Sequence, residues 1–319
     1  MSDVVRFLSC KGYKVVENQG SGYCFDVFAV LPDVENMIVL KKIESVDELK
    51  KGFTEDLKKM VYVFNVTPLV IGEDLDNPRL ENGIVMSKNG IPLITEETFK
   101  EMLKGEKIPL VFMSKGGIYV KINPEKLKKK REELGLSLGD VAYKLGVSRR
   151  MVFDYERGKT DVTVSMALKI EKLLGEDIFE CLSVESLRTL IEKNISNKGF
   201  EDREKKNIRD KALLKVFDTF EKLGFLNFIF KKTPFKLAST KHTKRDRIII
   251  KKISLKDLDK DENRVIFLLA NLTKSKAVFI VADKESTFEI LNDNVILIPS
   301  DRIEKNESIV KELVSRKQN

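Results

Sequence analysis

The stretch Leu134–Lys159, LGLSLGDVAYKLGVSRRMVFDYERGK, decides how this chain is read. It holds two short segments with helical apolar spacing, each opened by a serine and closed by a glycine. Ser137 precedes Leu138–Leu145 and Gly146; Ser148 precedes Arg149–Arg157 and Gly158. A serine ahead of a helix offers its hydroxyl to an orphan N–H, and a glycine behind one accepts the left-handed turn that ends it. Two such helices joined by three residues must cross steeply. Ala142 is small enough for the second helix to come close, Gly146 takes the turn, and Val147 tucks beneath it. Val141, Leu145, Val147 and Val152 then form one buried set, and the first turn of the second helix carries Arg149 and Arg150 outward.

Working outward, Asn123-Pro124 reads as an N-cap and first helical residue ahead of Lys126–Leu134. Val164–Leu174, stopped by Gly175, is another helix, and Asp177–Leu182 a last turn or two, so residues 124–182 form an all-helical domain with its two-helix motif at 137–156. Before it, in a connector at 106–123, Ile108–Ile122 alternates about Ser114-Lys115-Gly116-Gly117 as a β-hairpin. Residues 1–105 have α/β order: helix Asp3–Cys10, strands at Tyr13–Glu17, Tyr23–Val30 and Met37–Ile43, with Asp33 and Asn36 as turn formers. Ser45 with Glu48 forms a capping box for a helix to Val63, with Leu49, Phe53, Leu57, Met60 and Phe64 on one stripe. Strands at Thr67–Ile71, Gly83–Met86 and Ile91–Ile94 follow, then a Thr95-capped helix, Glu96–Lys104, stopped by Gly105. Residues 183–210 read as a charged linker. A second α/β segment, 211–319, opens with helix Lys211–Leu223 and Gly224.

The two ends resemble each other. Ile38–Ile43 (IVLKKI) matches Ile248–Ile253 (IIIKKI) at an offset of 210, and Phe25-Asp26-Val27 faces Phe235-Lys236-Leu237 at the same offset. Gly12-Tyr13 matches Gly224-Phe225, Pro68–Gly72 resembles Ala277–Ala282, and Ile91–Glu97 resembles Val295–Ile303. The expectation is a duplicated α/β fold on either side of a helical centre, and different strand orders in the two ends would refute it.

At 319 residues and 42% hydrophobic, the chain can bury more than one core, which excludes global disorder. Its longest apolar runs are about six residues, too short for a membrane span, and the N-terminus has no apolar signal core, so a cytoplasmic protein is expected. Cys10, Cys24 and Cys181 have neither disulfide nor metal spacing, and His242 is the single histidine, so no metal and no cofactor is expected. His242, in Lys241–Arg245, reads as a surface residue; Gly20-Ser21-Gly22 and Gly116-Gly117 lack the Gly-Lys-Ser/Thr of a phosphate loop. The net charge of +8 is uneven: −3 over residues 1–120, +2 over 121–184 and +9 over 185–319, densest in Lys231–Lys252. Abundant Lys, Glu and Ile with no Trp also fits a thermophile, which would explain charge without any ligand.

Residues Pro124–Leu182 resemble the Cro/C1-type helix-turn-helix family. Arg131, Leu136-Ser137, Val141-Ala142, Gly146-Val147-Ser148, Val152 and Tyr155–Gly158 stand at its spacing. Leu138 departs from it, standing where the family often has a phosphate-contacting Gln. With the Gly116–Val120 hairpin and the flanking domains, nearly the whole chain resembles a group of archaeal HTH-type transcriptional regulators. The resemblance implies that Ser148–Arg157 enters the major groove of double-stranded DNA, Arg149 and Arg150 reading base edges. Phe153 falls on the same outward face, against a thymine methyl or against protein; Asp154 would orient an arginine; Ser148, Lys144 and Lys159 would touch phosphate. Arg131 and Glu156 would form a structural ion pair.

SGYCFDVFAV followed by MIVLKKIES resembles the restriction-endonuclease-like fold, in particular archaeal junction resolvases. In that family an Asp and an acid-x-Lys strand hold a divalent metal. Asp26 and Lys41 match those positions, but Val39 replaces the acid; in the second copy Lys236 and Ile249 stand at the two acid positions. The expectation is an inactive nuclease-like fold flanking the reader. The protein would then be a sequence-specific transcription regulator, homodimeric on a palindrome, with an effector the sequence does not name. A structure-selective nucleic-acid-processing protein and a protein–protein scaffold are the alternatives.

Overall fold

A computed structural model describes residues 2–20, 22–32, 36–72, 79–114, 116–194, 205, 208–241, 246–282 and 287–300. His242, Ser21, Asp33, Lys115, most of 195–207 and the end of the chain after Ser300 lie outside the described residues. The chain divides into two compact units, one of residues 1–42, 49–69 and 192–319, the other of 43–48 and 70–191.

The first copy of the α/β fold begins with α1 (Ser2–Cys10), β1 (Lys14–Glu17), β2 (Val27–Leu31), β3 (Asn36–Ile43), α2 (Lys51–Phe64) and β4 (Thr67–Gly72). It continues with β5 (Ile84–Lys88), β6 (Ile91–Thr95) and α3 (Glu96–Lys104). The second copy lies beyond the helical centre: α9 (Lys211–Lys222), β10 (Leu226–Ile229), β11 (Leu237–Thr240), β12 (Arg247–Ile253), α10 (Asp261–Leu272), β13 (Lys276–Val281), β14 (Glu289–Asn292) and β15 (Val295–Pro299). Neighbour by neighbour, the strands run β1-β2-β3-β4-β6-β5 and β10-β11-β12-β13-β15-β14. The orders are identical, and the register repeats through the first three strands, while β14 carries an irregularity against β15 that β5 lacks against β6. Val27 faces Leu40, and 210 residues on Leu237 faces Ile250. Lys14 faces Val30, and Leu226 faces Thr240. The fold is duplicated, as the matched segments imply.

The repeat extends to a shared departure from expectation. The helix after β3 opens at Lys51, not at Ser45. The Glu48 carboxylate does accept the Ser45 N–H at 2.8 Å, but the Ser45 hydroxyl reaches only Asp47 N. The box is half-made, and Val46–Glu48 tightens into a 3-10 turn. In the second copy Leu255–Asp257 is also a 3-10 turn, and α10 starts 210 residues after α2.

The two copies meet within the first unit. The Cys24 N–H donates to Lys232 O at 2.7 Å, which draws residues 22–26 out of the strand expected there, so that β2 begins at Val27. Asp56, buried on α2, accepts the N–H groups of Lys231 (2.7 Å) and Lys232 (2.6 Å) and faces Lys59 Nζ at 3.5 Å. Lys59 in turn donates to Ile229 O, and Tyr62 stacks on Phe228. Burial pushes the Asp56 carboxyl up, opposed by its backbone donors and Lys59.

In the second unit, β7 (Val111–Ser114) adds to β5 in parallel and turns into β8 (Gly117–Val120). The helical centre follows: α4 (Pro124–Glu133), α5 (Leu138–Leu145), α6 (Arg149–Glu156), the short β9 (Val162–Thr163), α7 (Val164–Leu174) and α8 (Val184–Asn194). Two differences from the sequence expectation share one cause. Val162–Thr163 is a strand on β8. Phe179 bridges Ile122, and Cys181 bridges Pro109, so Asp177–Leu182 is mostly extended rather than helical. The hairpin leaves polar edges that need partners, and the residues flanking the helices supply them. Finally, the expected linker is helical to Asn194: Ser183 and Ser186 cap each other, and Val184, Leu187 and Ile191 are buried.

Candidate nucleic-acid interface

The helical centre is built on local signals. The Asn123 side chain caps α4; Ser137 and Asp140 form a capping box on α5, whose Gly146 C-cap lies at φ +71°. Ser148 caps α6 by accepting Met151 N at 3.1 Å. Hydrogen bonds to Ser137 hold the exposed Asp140 carboxyl below its ordinary value. Val141, Ala142, Leu145, Val152 and Tyr155 are buried in one core with Leu127, Ile170 and the hairpin residues Val120 and Ile122, and Val147 packs against it. Leu138 joins the same core, so its apolar side chain has a packing use.

Arg131 locks the frame. Its guanidinium donates to both Glu156 oxygens (Nε to Oε1 at 2.5 Å, Nη2 to Oε2 at 3.1 Å) and to Leu136 O at 2.9 Å, tying α4, the loop after it and α6 together. The Glu156 carboxylate raises the Arg131 pKa further. With Glu156 7% exposed, breaking this pair strands a buried charge.

On the outer side, Lys144, Ser148, Arg149, Arg150 and Lys159 are exposed. Arg150 Nε donates to Asp154 Oδ2 at 3.1 Å. Phe153 is half-buried, with Arg150 Cζ 5.7 Å and Arg157 Cζ 5.4 Å from its ring centroid. Of the expected residues, Arg150, Phe153 and Asp154 are brought together; Lys144, Ser148, Arg149 and Lys159 are exposed, with no side-chain contact that joins them to this group among the described residues. Arg157 belongs to the same group through the Phe153 ring and was missed. The spacing 150, 153, 154, 157 was the available signal for Arg157, being one helical face. A helix end that exposes Arg149 and Arg150 and is tied to α4 through Glu156 suits a groove lined by acceptors and phosphates.

The nuclease-like position is different. Lys41 Nζ lies 2.7 Å from Asp26 Oδ1, and the Lys42 N–H donates to Oδ2 at 2.8 Å. Val39 is fully buried at the place of the second acid. A hard divalent cation needs several oxygen donors, and one carboxylate with both oxygens engaged does not fit it. Among the described residues no cluster of three or more His, Cys, Asp or Glu could hold a metal. In the second copy Lys236 is exposed, Ile249 is buried and Lys251 pairs with Glu262 at 2.9 Å.

Fold and site thus define a helix-turn-helix protein flanked by α/β domains. Residues 1–108 match the PD-(D/E)XK superfamily domain, and residues 127–181 match the helix-turn-helix family. Over 277 residues the chain is 31% identical to a Methanocaldococcus jannaschii protein named "Putative HTH-type transcriptional regulatory protein", covering 84% of this chain and 81% of that one. Proteins of the same name from Pyrococcus furiosus (29% identical, 95% and 91% covered) and Thermoplasma volcanium (28%, 99% and 97%) align along nearly their whole length. The chain belongs to this archaeal family of HTH-type transcriptional regulatory proteins. A chain of a solved SinR protein/SinI protein complex aligns to 32% of it at 22% identity with a TM-score of 0.16, too low to carry an argument. Among the described residues no helix is long and apolar enough to cross a membrane.

Proposed function

We propose that this protein is a sequence-specific regulator of transcription, acting in the cytoplasm, that reads duplex DNA with α6 in the major groove. The observation that carries the reading is the pair Arg149 and Arg150, projected from the first turn of a helix whose other side is fixed by Val152, Tyr155 and the Arg131–Glu156 bridge. Arg149 and Arg150 read guanine edges, each good bidentate contact being worth about 1–3 kcal/mol of discrimination. Asp154 orients Arg150, and Ser148, Lys144 and Lys159 hold backbone phosphates. One such helix reads only a few base pairs, so the protein works as a homodimer on half-sites about one helical turn apart.

Selection of bound duplexes from a random pool, with salt recorded, tests this. A single enriched palindrome is the expected result. Arg149→Ala and Arg150→Ala should each erase the footprint on it while keeping the circular-dichroism melt of the parent; parent-like footprints would refute the assignment. The α/β copies act in this reading as frame rather than nuclease, since Val39 and Ile249 replace acids. Supercoiled plasmid with magnesium or manganese should stay intact, and nicking abolished by Asp26→Asn would overturn that part.

A further inference from the structure

We propose that Phe153 is the positioning residue of the reading helix, a ring shared by two guanidiniums with different tasks. Arg150 is aimed end-on at a guanine, and Arg157 grips a backbone phosphate. This rests on the duplex-reading function above and adds a division of labour to it.

Residues 150, 153, 154 and 157 fall on one face of α6 and its C-cap. Arg150 and Arg157 approach the same ring at 5.7 and 5.4 Å, within the range at which a guanidinium is held by an aromatic face. Arg150 is held a second time, through Nε, by Asp154 at 3.1 Å. That bond leaves its Nη1 and Nη2 donors free on a side chain that is 71% exposed. Guanine O6 and N7 require two donors at fork spacing, and an arginine with Nε already engaged supplies them end-on. Asp154 itself is mostly buried, and its Oδ1 has no hydrogen-bond partner among the described residues, so the carboxylate is committed to Arg150 rather than shared around the helix. Arg157 has the ring but no carboxylate partner among the described residues. It stands about two turns beyond Arg149, where its unneutralised charge suits a phosphate at the groove wall. Phe153 is half-buried because it carries both arginines, which removes it as a free contact for a thymine methyl.

The test uses the full chain on the duplex it selects. Phe153→Leu keeps an apolar side chain without a ring. It should weaken binding about tenfold and flatten the preference at one guanine position, and Phe153→Tyr should restore both. Asp154→Asn should flatten the same position without weakening binding to random duplex. Arg157→Ala should weaken all sequences alike and lower the slope of log K against log salt by about one. Unchanged preference in Phe153→Leu would overturn the shared platform, and an unchanged salt slope in Arg157→Ala would overturn the phosphate contact. If Phe153→Leu melts early, the Phe153→Tyr and Asp154→Asn arms decide. A parent that enriches no sequence would sink the regulator reading itself, which keeps the two failures apart.

Discussion

In the first α/β copy the edge strand β5 passes its free side to β7, and the chain runs on through that hairpin into the helix-turn-helix. In the second copy the corresponding strand, β14, is the last of the sheet among the described residues. The consequence is visible in the side chains: Met86 on β5 is 6% exposed, whereas β14 is exposed along its length, Ile290 to 45%. Polar positions have drifted further. The first copy keeps Asp26 against Lys41, whereas the second has Lys236 and joins Lys251 to Glu262. Strand order and register survive because a one-residue slip would turn every buried Val and Ile outward. No such constraint ties a half-exposed ion pair to one set of residues, so the two copies share a sheet and differ at their charged positions.

The largest effect should come from restoring acids. Val39→Glu and Ile249→Glu each place a charge where the side chain is fully buried, and each should cost about 4 kcal/mol in denaturant unfolding. Magnesium should rescue neither. Rescue of Val39→Glu alone would show that the first copy still frames a cation beside Asp26.

Next is the clamp between the copies. Asp56→Ala removes two backbone hydrogen bonds to Lys231 and Lys232 and the ion pair to Lys59, which should cost about 3 kcal/mol in the same measurement. A loss below about 1 kcal/mol would mean that the aromatic contacts alone join them.

The edge strands should separate more gently. Met86→Lys should lose about 2 kcal/mol and Ile290→Lys less than about 0.5 by thermal unfolding, because only the first side chain is covered. Equal losses would show the two edges to be equivalent.

The smallest effect is a pH dependence. The Tyr23 hydroxyl, and after it Lys251, lower the Glu262 pKa below its ordinary 4.5. A carboxylate lowered on folding adds stability that is present above 4.5 and disappears as pH falls through its native value. Glu262 is half-exposed, so screening leaves a few tenths of a kcal/mol. Glu262→Gln should trail the parent by that amount at pH 7 and match it in acid; a gap persisting below pH 3 would point to packing instead.

Much of the reader was legible because its signals are local. Ser137, Gly146 and Ser148 act within three or four residues of themselves, and the buried spacing of Val141, Leu145 and Val152 belongs to single helices. The strand Val162–Thr163 and the extension at Phe179 and Cys181 carry no such mark, since their partners lie on a hairpin some 40 to 70 residues earlier. The capping box at Ser45 was readable but half-made, and local chemistry alone could not place the helix start at Lys51.

By itself, then, the sequence determined the capped helices, the outward arginines and the 210-residue repeat, all of which are periodicities or neighbours in the chain. Only the tertiary structure decided that Asp56 closes on backbone 175 residues away, and that one edge strand is covered while its twin is bare. It also decided that Arg150 and Arg157 share the ring of Phe153. The physical reason is that backbone donors and sheet edges look alike in every sequence, and which of them meet is set by the packing of whole elements.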